Sequence, residues 1–199
     1  DEARLTILAG LTLSAMFQDQ EKYLDAAKAR EVIVKKIEEN PALREQLESS
    51  SSSSLAPKRI RAGMEYCYAM HYAAAGDVAR QVEHLDKAAE KDPQDADVLI
   101  ALYRLPDQDE KRRKATKSLI DRATRASQRE IDEYEPLAVE SEDFQGFLAT
   151  KYNEYAWLVS NTYGDFDKAL HYSIKSNEIH DNLEGGLLDT LGRCYYANG

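Results

Sequence analysis

Apolar and polar residues alternate along this chain with the period of an α-helix. In the first segment the apolar positions recur every three or four residues, at Leu5, Leu8, Ala9, Leu13 and Met16. A second segment with this spacing ends before Asn40-Pro41, because proline disfavours helical backbone in the residue before it. Further helices are predicted over about 42–47, 58–75, 78–91, 96–105, 108–134, 143–162, 166–179 and 187–198.

Two glycine-aspartate pairs, Gly76-Asp77 and Gly164-Asp165, separate neighbouring helical segments. Glycine tolerates the left-handed backbone conformation that closes a helix. An aspartate that follows can accept hydrogen bonds from the free amides that open the next helix. Because short connections make neighbouring helices antiparallel, we expect a series of helical hairpins.

Composition agrees with a helical protein. The chain has 199 residues, of which 43% are hydrophobic and 31% charged, with only 9 glycines and 5 prolines. This is the balance of a globular chain of one or two domains rather than of a disordered one. Strand formers and turn residues are scarce, so the pattern predicts an all-α fold and argues against a sheet-based nucleotide-binding fold.

The net charge of the chain limits the kinds of molecule that we expect it to bind. There are 26 lysine and arginine residues against 36 aspartate and glutamate residues, which gives a net charge of −10. A negative chain is repelled by phosphate backbones, so we expect no nucleic-acid partner. No apolar run is long enough for a membrane-spanning helix. Basic residues cluster over 111–129 and acidic ones over 130–143, which fits a solvated helix that neutralises its neighbours or a bipolar docking surface.

The C-terminal part contains a repeated pattern. Its pieces are Trp157-Leu158, the segment Gly164–Leu170 and the segment Leu188–Gly192, and Trp157 precedes Gly192 by 35 positions. This pattern resembles the tetratricopeptide repeat (TPR), whose period is about 34 residues. The resemblance covers about half of the chain well and is weaker before 57 and over 96–136. With the segment Leu102–Asp107 ahead of it, the chain is similar to bacterial repeat proteins of unassigned role.

The resemblance implies an architecture and a division of the chain. The fold would be a right-handed α-solenoid of antiparallel helical hairpins, a TPR-like superhelix, because each hairpin has an apolar face that only stacking can bury. Residues 1–48 would form a degenerate helical hairpin region and 49–57 a serine-rich loop or linker. The TPR-like repeats would occupy 58–199, as units over about 58–95, 96–136 and 143–180 and a partial one over 185–199.

The resemblance also implies a function. TPR arrays bind proteins or peptides along a concave face that their first helices build, so we expect a protein–protein interaction scaffold that takes a peptide or a partner helix. The alternative is an accessory or regulatory repeat domain of a larger protein whose catalytic or membrane part lies outside this sequence. Transferred to this sequence, the partner-binding groove would contain Tyr66, Met70, Ala73, Lys151, Glu154, Leu158, Asn161, Asp189, Arg193 and Tyr196.

Nothing in the sequence predicts an enzyme. The four histidines lack ligand spacing, and there is no glycine-rich phosphate loop and no nucleophile motif. We therefore expect no catalytic residue, cofactor or metal. Cys67 and Cys194 lie in apolar helical segments and are predicted to be buried free thiols, although a disulfide is left open. The last helix would leave an apolar face uncovered, so we expect the parent protein to continue or the chain to self-associate there.

Overall fold

A computed structural model describes residues 2–49, 55–106, 108–139, 142–180 and 184–199. These residues form ten α-helices and one short 3-10 helix, and they include no strand, which confirms the all-α prediction. The helices are α1 (Glu2–Asp19), α2 (Tyr23–Glu38), α3 (Pro41–Ser49), α4 (Pro57–Ala74), α5 (Val78–Lys91), α6 (Ala96–Tyr103), α7 (Glu110–Tyr134), α8 (Glu142–Asn161), α9 (Phe166–Ile179) and α10 (Gly185–Asn198), with the 3-10 helix at Leu137–Val139.

The glycine-aspartate pairs act as the sequence predicts. Gly76 and Gly164 have positive φ angles of 71° and 142°, which residues with a Cβ atom rarely adopt. Asp77 Oδ1 accepts a hydrogen bond of 3.0 Å from the amide that follows three residues later, and Asp165 Oδ1 accepts one of 2.9 Å in the same way. These caps fix where α5 and α9 begin.

The chain divides into two compact units, Asp1–Val98 and Leu99–Gly199. In the first unit α1 packs on α2, α2 on α4, and α4 on α5. A continuous apolar cluster joins the first four helices and contains Ile7, Ile33, Val34, Ile37, Leu43, Leu47, Leu55 and Ile60. The predicted degenerate region 1–48 therefore shares one core with the helix that follows it.

Most of the predicted serine-rich linker, residues 50–54, lies outside the described residues. Its two ends are ordered parts of the first unit: Ser49 is the last residue of α3, and Pro57 is the first of α4. Leu55 is buried in the apolar cluster. This part of the segment 49–57 therefore belongs to the core, because Leu55 adds its apolar side chain to the residues of α3 and α4.

Helix α1 turns a different face to the core than its apolar spacing indicates. The buried positions are Ile7 and Ser14, whereas Leu5, Leu8 and Met16 are exposed. Ser14 Oγ donates a hydrogen bond of 3.0 Å to the Ala26 carbonyl oxygen on α2. Small residues such as Ser14 and Ala26 lie between α1 and α2 and let the two helices approach closely. This close packing leaves Leu5, Leu8 and Met16 on the exposed side of α1.

In the second unit α8 is the central helix and packs against α7, α9 and α10. The Tyr172 ring contacts the Tyr152 ring in a tilted arrangement and the Tyr155 ring edge to face. The core contains Ile131, Ala138, Leu148, Tyr152, Tyr155, Ala156, Val159, Ala169, Tyr172 and Cys194.

Both cysteines are buried and free, as predicted. Burial raises the pKa of each thiol, so the neutral form is favoured. Cys67 lies in the first unit and Cys194 in the second.

Acidic residues at and just after the C-terminal end of α7 form ion pairs within the second unit. Glu130 lies 2.9 Å from Lys151 on α8, and Glu135 lies 2.6 Å from Lys175 on α9. The basic residues Lys114 and Lys117 remain exposed. The acidic carboxylates thus neutralise cations of the neighbouring helices, which agrees with the first of the two interpretations drawn from the charge pattern.

Candidate functional site

In the first unit, the predicted groove residues Tyr66, Met70 and Ala73 share one stripe of α4 and are all half-buried. Burial, together with the nearby Asp97 carboxylate, raises the pKa of Tyr66, so its phenol stays neutral across the physiological range. These three residues provide a mixed aromatic and apolar strip on one side of α4.

In the second unit, three predicted groove residues are buried instead of exposed. Lys151 lies 2.9 Å from the carboxylates of both Glu130 and Glu154. Leu158 is in the interior. Asn161 donates to the Trp157 carbonyl oxygen and accepts a hydrogen bond from the Arg104 guanidinium.

These predicted groove residues are buried because of the way α8 is rotated about its axis relative to its neighbours. This helix is surrounded by α7, α9 and α10, so positions 151 and 158 fall on a side that neighbouring helices cover. The less covered stripe of α8 runs through Thr150, Asn153 and Trp157, which follow one another at intervals of three and four residues. The family pattern places the groove about one residue away from this stripe.

The predicted residues on α10 fit the structure better. Asp189 and Tyr196 are exposed and Arg193 is half-buried, and the spacing of four and three puts them on one side of the helix. The Arg193 guanidinium carbon lies 5.1 Å from the centre of the Tyr196 ring, within range of a cation–π contact.

Asn153 on α8 and Arg193 on α10 lie next to the contact between the two helices, whereas Asp189 and Tyr196 lie on the side of α10 that faces away from Cys194. Cys194 Sγ lies 3.8 Å from the Ala156 carbonyl oxygen, which marks the line of contact. Asn153 is one turn before Ala156, and Arg193 is next to Cys194, so both lie beside this line. We name the surface formed by Asn153, Trp157, Asp189, Arg193 and Tyr196 the α8–α10 seam.

Two polar atoms of the seam are unsatisfied within the described residues. Asn153 Oδ1, an acceptor, and Arg193 Nε, a donor, are buried and form no hydrogen bond. Buried polar groups in folded proteins are nearly always paired, and an unpaired one costs free energy. If the Asn153 or Arg193 side chain rotates towards a bound ligand, the unsatisfied atom forms a hydrogen bond with the ligand. No hydrogen bond within the protein is lost at that atom.

Sequence reasoning missed Asn153. The signal that could have found it is the run of small or polar residues Gly146, Thr150 and Asn153 at helical spacing, on the opposite side from the apolar positions of α8. Such a stripe marks the side that is not packed against another helix. Trp157, a residue of the repeated pattern, is half-buried at the end of the same stripe.

The described residues contain no group of three or more histidine, cysteine, aspartate or glutamate side chains placed to hold a metal ion. His84 Nδ1 lies 2.7 Å from Glu65, between the rings of Tyr68 and Tyr72. This histidine therefore joins α5 to α4 within the first unit.

No protein-family model matches this sequence, and no curated protein and no solved structure matches it either. The TPR resemblance therefore stays a prediction. None of the helices in the part of the chain that the structure describes combines the length and the apolar character needed to cross a bilayer.

Proposed function

We propose that this chain is a protein-interaction module and that the α8–α10 seam binds an extended segment of a partner protein. The observation that carries the proposal is the pair of unsatisfied atoms, Asn153 Oδ1 and Arg193 Nε, on the two sides of the contact between α8 and α10. The Arg193 guanidinium lies beside the exposed ring of Tyr196. A peptide backbone offers a carbonyl to a donor and an amide to an acceptor at every residue. When the Asn153 and Arg193 side chains rotate outwards, the seam offers one group of each kind, and the Tyr196 ring offers an aromatic surface for a side chain.

The architecture supports the same proposal. The α4–α5 and α8–α9 pairs share one plan, with a positive-φ glycine and an aspartate cap in the connection. Such pairs are the building units of the right-handed TPR-like solenoid that we propose for this chain, and modules of this kind act through shape and surface.

The test is a selection of binding peptides from a displayed random library against the intact chain. Asn153→Ala and Arg193→Gln should weaken the selected peptides about tenfold or more, because each removes a hydrogen-bonding group from the seam. Tyr196→Ala should weaken them as well, through loss of the aromatic contact.

Tyr195 supplies the matched control, since it is the same residue type, also exposed, on a different side of α10. Tyr195→Ala should leave the affinity of the selected peptides unchanged. Selected peptides that bind all three seam variants as tightly as the unaltered chain would move the site away from the seam, and failure to select any peptide would contradict the proposed function.

A further inference from the structure

Helix α1 carries an apolar surface that the rest of the first unit leaves open. Residues 5–18 contain no charged side chain. Within this stretch Leu5 is 66% exposed, Leu8 42%, Leu13 46% and Met16 53%. Single exposed apolar residues are ordinary on a protein surface, whereas four large ones on three turns of one helix are typical of an interface.

The open surface continues into a groove between α1 and α2. Its volume is about 350 Å³, and its walls are almost entirely apolar. Gly10 lies on the floor, where Ile33 approaches so closely that an added Cβ would lie 2.9 Å from its Cδ1 atom. On the far wall Val32 is 70% exposed. The groove is lined by Thr6, Ile7, Ala9, Gly10, Leu13, Ala29, Val32, Ile33 and Lys36.

The order of residues on α1 indicates what could cover this surface. The exposed apolar positions are symmetric about the midpoint between Gly10 and Leu11: Leu5 and Met16 are equally distant from it, and so are Leu8 and Leu13. A second α1 that runs antiparallel therefore places Leu5 opposite the partner's Met16 and Leu8 opposite the partner's Leu13. A two-fold contact requires this kind of self-complementary surface.

The charges at the two ends of α1 fit the same arrangement. Arg4 precedes the uncharged stretch and Asp19 follows it, and both are exposed. With the axis between Gly10 and Leu11, Arg4 faces the partner's Phe17, and Glu2 faces the partner's Asp19. The long Arg4 side chain reaches the Asp19 carboxylate two residues further along and offsets its repulsion from Glu2, at both ends of the contact. The chain has a net charge of −10, but none of this charge lies within residues 5–18, so like charges face each other only at the two ends.

We propose that two copies of this chain associate through α1, antiparallel about a two-fold axis near Gly10 and Leu11. Arg4 then lies beside the partner's Asp19, and large apolar side chains of each copy pack on α1 and on the α1–α2 groove of the other. This interface is independent of the α8–α10 seam, which belongs to the second unit, and it differs from self-association through α10.

The first test is sedimentation equilibrium of the intact chain across the micromolar range. The unaltered chain should show a concentration-dependent dimer. Leu8→Glu should raise the dimer dissociation constant about tenfold or more, because the interface would bury a carboxylate without a partner. Leu8 is exposed, so this variant should keep the far-ultraviolet circular dichroism of the unaltered chain. Leu188→Glu, at an exposed leucine of α10, is the matched control and should leave the dimer intact.

The second test is a charge exchange, which probes the antiparallel geometry without touching the apolar residues. Arg4→Glu and Asp19→Arg should each weaken the dimer about threefold to tenfold, because the two-fold axis repeats the altered contact at both ends. The double variant with both substitutions should recover the affinity of the unaltered chain.

Three outcomes would overturn the proposal. A monomer at every concentration excludes the dimer, and monomer that sediments with lipid vesicles would assign α1 to a membrane surface instead. Loss of the dimer in Leu188→Glu but not in Leu8→Glu would place the contact on α10. A double charge variant that stays as weak as the single ones would exclude the antiparallel arrangement.

Discussion

The Tyr152 hydroxyl on α8 donates a hydrogen bond of 2.7 Å to the Glu135 carboxylate, one residue beyond the end of α7. Lys175 on α9 lies 2.6 Å from the same carboxylate. One acidic side chain thus joins three helices of the second unit. The carboxylate is partly exposed, whereas the tyrosine is buried, so the tyrosine is the member of the pair that depends on the other for its hydrogen bond.

Tyr152→Phe should lower the free energy of unfolding by about 1–2 kcal/mol, since a hydrogen bond to a charged group is lost while the ring stays in place. Urea denaturation monitored by circular dichroism measures this change. The same substitution at the exposed Tyr195 should change the stability by only a few tenths of a kcal/mol. Equal effects at the two tyrosines would show that the Tyr152 hydroxyl is unimportant.

Glu135 should make stability depend on pH in acid. The hydrogen bond from Lys175, and then that from Tyr152, holds the pKa of Glu135 below its ordinary value. A carboxyl whose pKa is lower in the folded state stabilises the fold above its unfolded pKa and loses this contribution as the pH falls through the folded pKa. Glu135→Gln should therefore reduce the melting temperature more at pH 7 than at pH 3. A reduction of the same size at both values would exclude the ionised carboxylate as the cause.

Asp95 should act in the opposite direction. Burial is the main cause that raises the pKa of Asp95 to about 6, while the hydrogen bond from the Val98 amide opposes the shift. Because its pKa is higher in the folded state than in the unfolded one, the unfolded chain releases this proton first, and stability falls as the pH rises from about 4 to 6.

Asp95→Asn keeps an oxygen that can cap α6 and removes the ionisation. We expect this variant to be more stable than the unaltered chain at pH 7 and nearly equal to it at pH 4. Melting temperatures at the two pH values, taken as differences between the two proteins, separate this effect from that of Glu135. A variant that is less stable at pH 7 would contradict the assignment.

The aspartate caps should contribute measurably to stability. Asp165→Ala removes the acceptor for the Lys168 amide at the start of α9, at a cost of about 1 kcal/mol. Asp167→Ala, two residues further along, removes a charge of the same sign near the same helix end but no cap, so its cost should be smaller, about 0.3–0.5 kcal/mol. If thermal unfolding shows the larger loss for Asp167→Ala, the capping role of Asp165 is wrong.

Close packing of α8 and α9 should make Ala169 intolerant of larger residues. Its side chain is fully buried beside Ala156 and Val159. Ala169→Leu should lower the free energy of unfolding by about 1–3 kcal/mol, because the added atoms have no space. Ala79→Leu, on the exposed side of α5, is the control and should be nearly neutral. Denaturant titrations of the two variants make the comparison.

The helices and their ends were predictable from the sequence because the interactions that set them are local. Gly76-Asp77 and Gly164-Asp165 end one helix and cap the next, as predicted, because a positive φ angle and a capping hydrogen bond depend only on neighbours within one turn. The burial of Cys67 and Cys194 followed in the same way from the apolar character of their segments.

The faces of the helices were less predictable. On α8 the family pattern selected Lys151, Leu158 and Asn161 for an exposed groove, and the structure buries all three. A helix in contact with three others has little exposed surface, and the side of α8 that stays exposed depends on where α7 and α10 lie. The helical spacing of Gly146, Thr150 and Asn153 marks the less covered stripe in the sequence, but the tertiary structure alone shows that Asn153 lies beside α10 and that its Oδ1 atom is unsatisfied.

The sequence by itself determined that the chain is helical, approximately where the helices begin and end, and which charges the chain carries, because helix period, caps and composition are local properties. Tertiary structure alone decided that Ile7 and Ser14, rather than Leu5 and Met16, turn towards the core, and that an acceptor and a donor remain unsatisfied between α8 and α10. Both outcomes depend on contacts between residues distant in the chain, where the free energy of close packing outweighs the preference of any single apolar stripe.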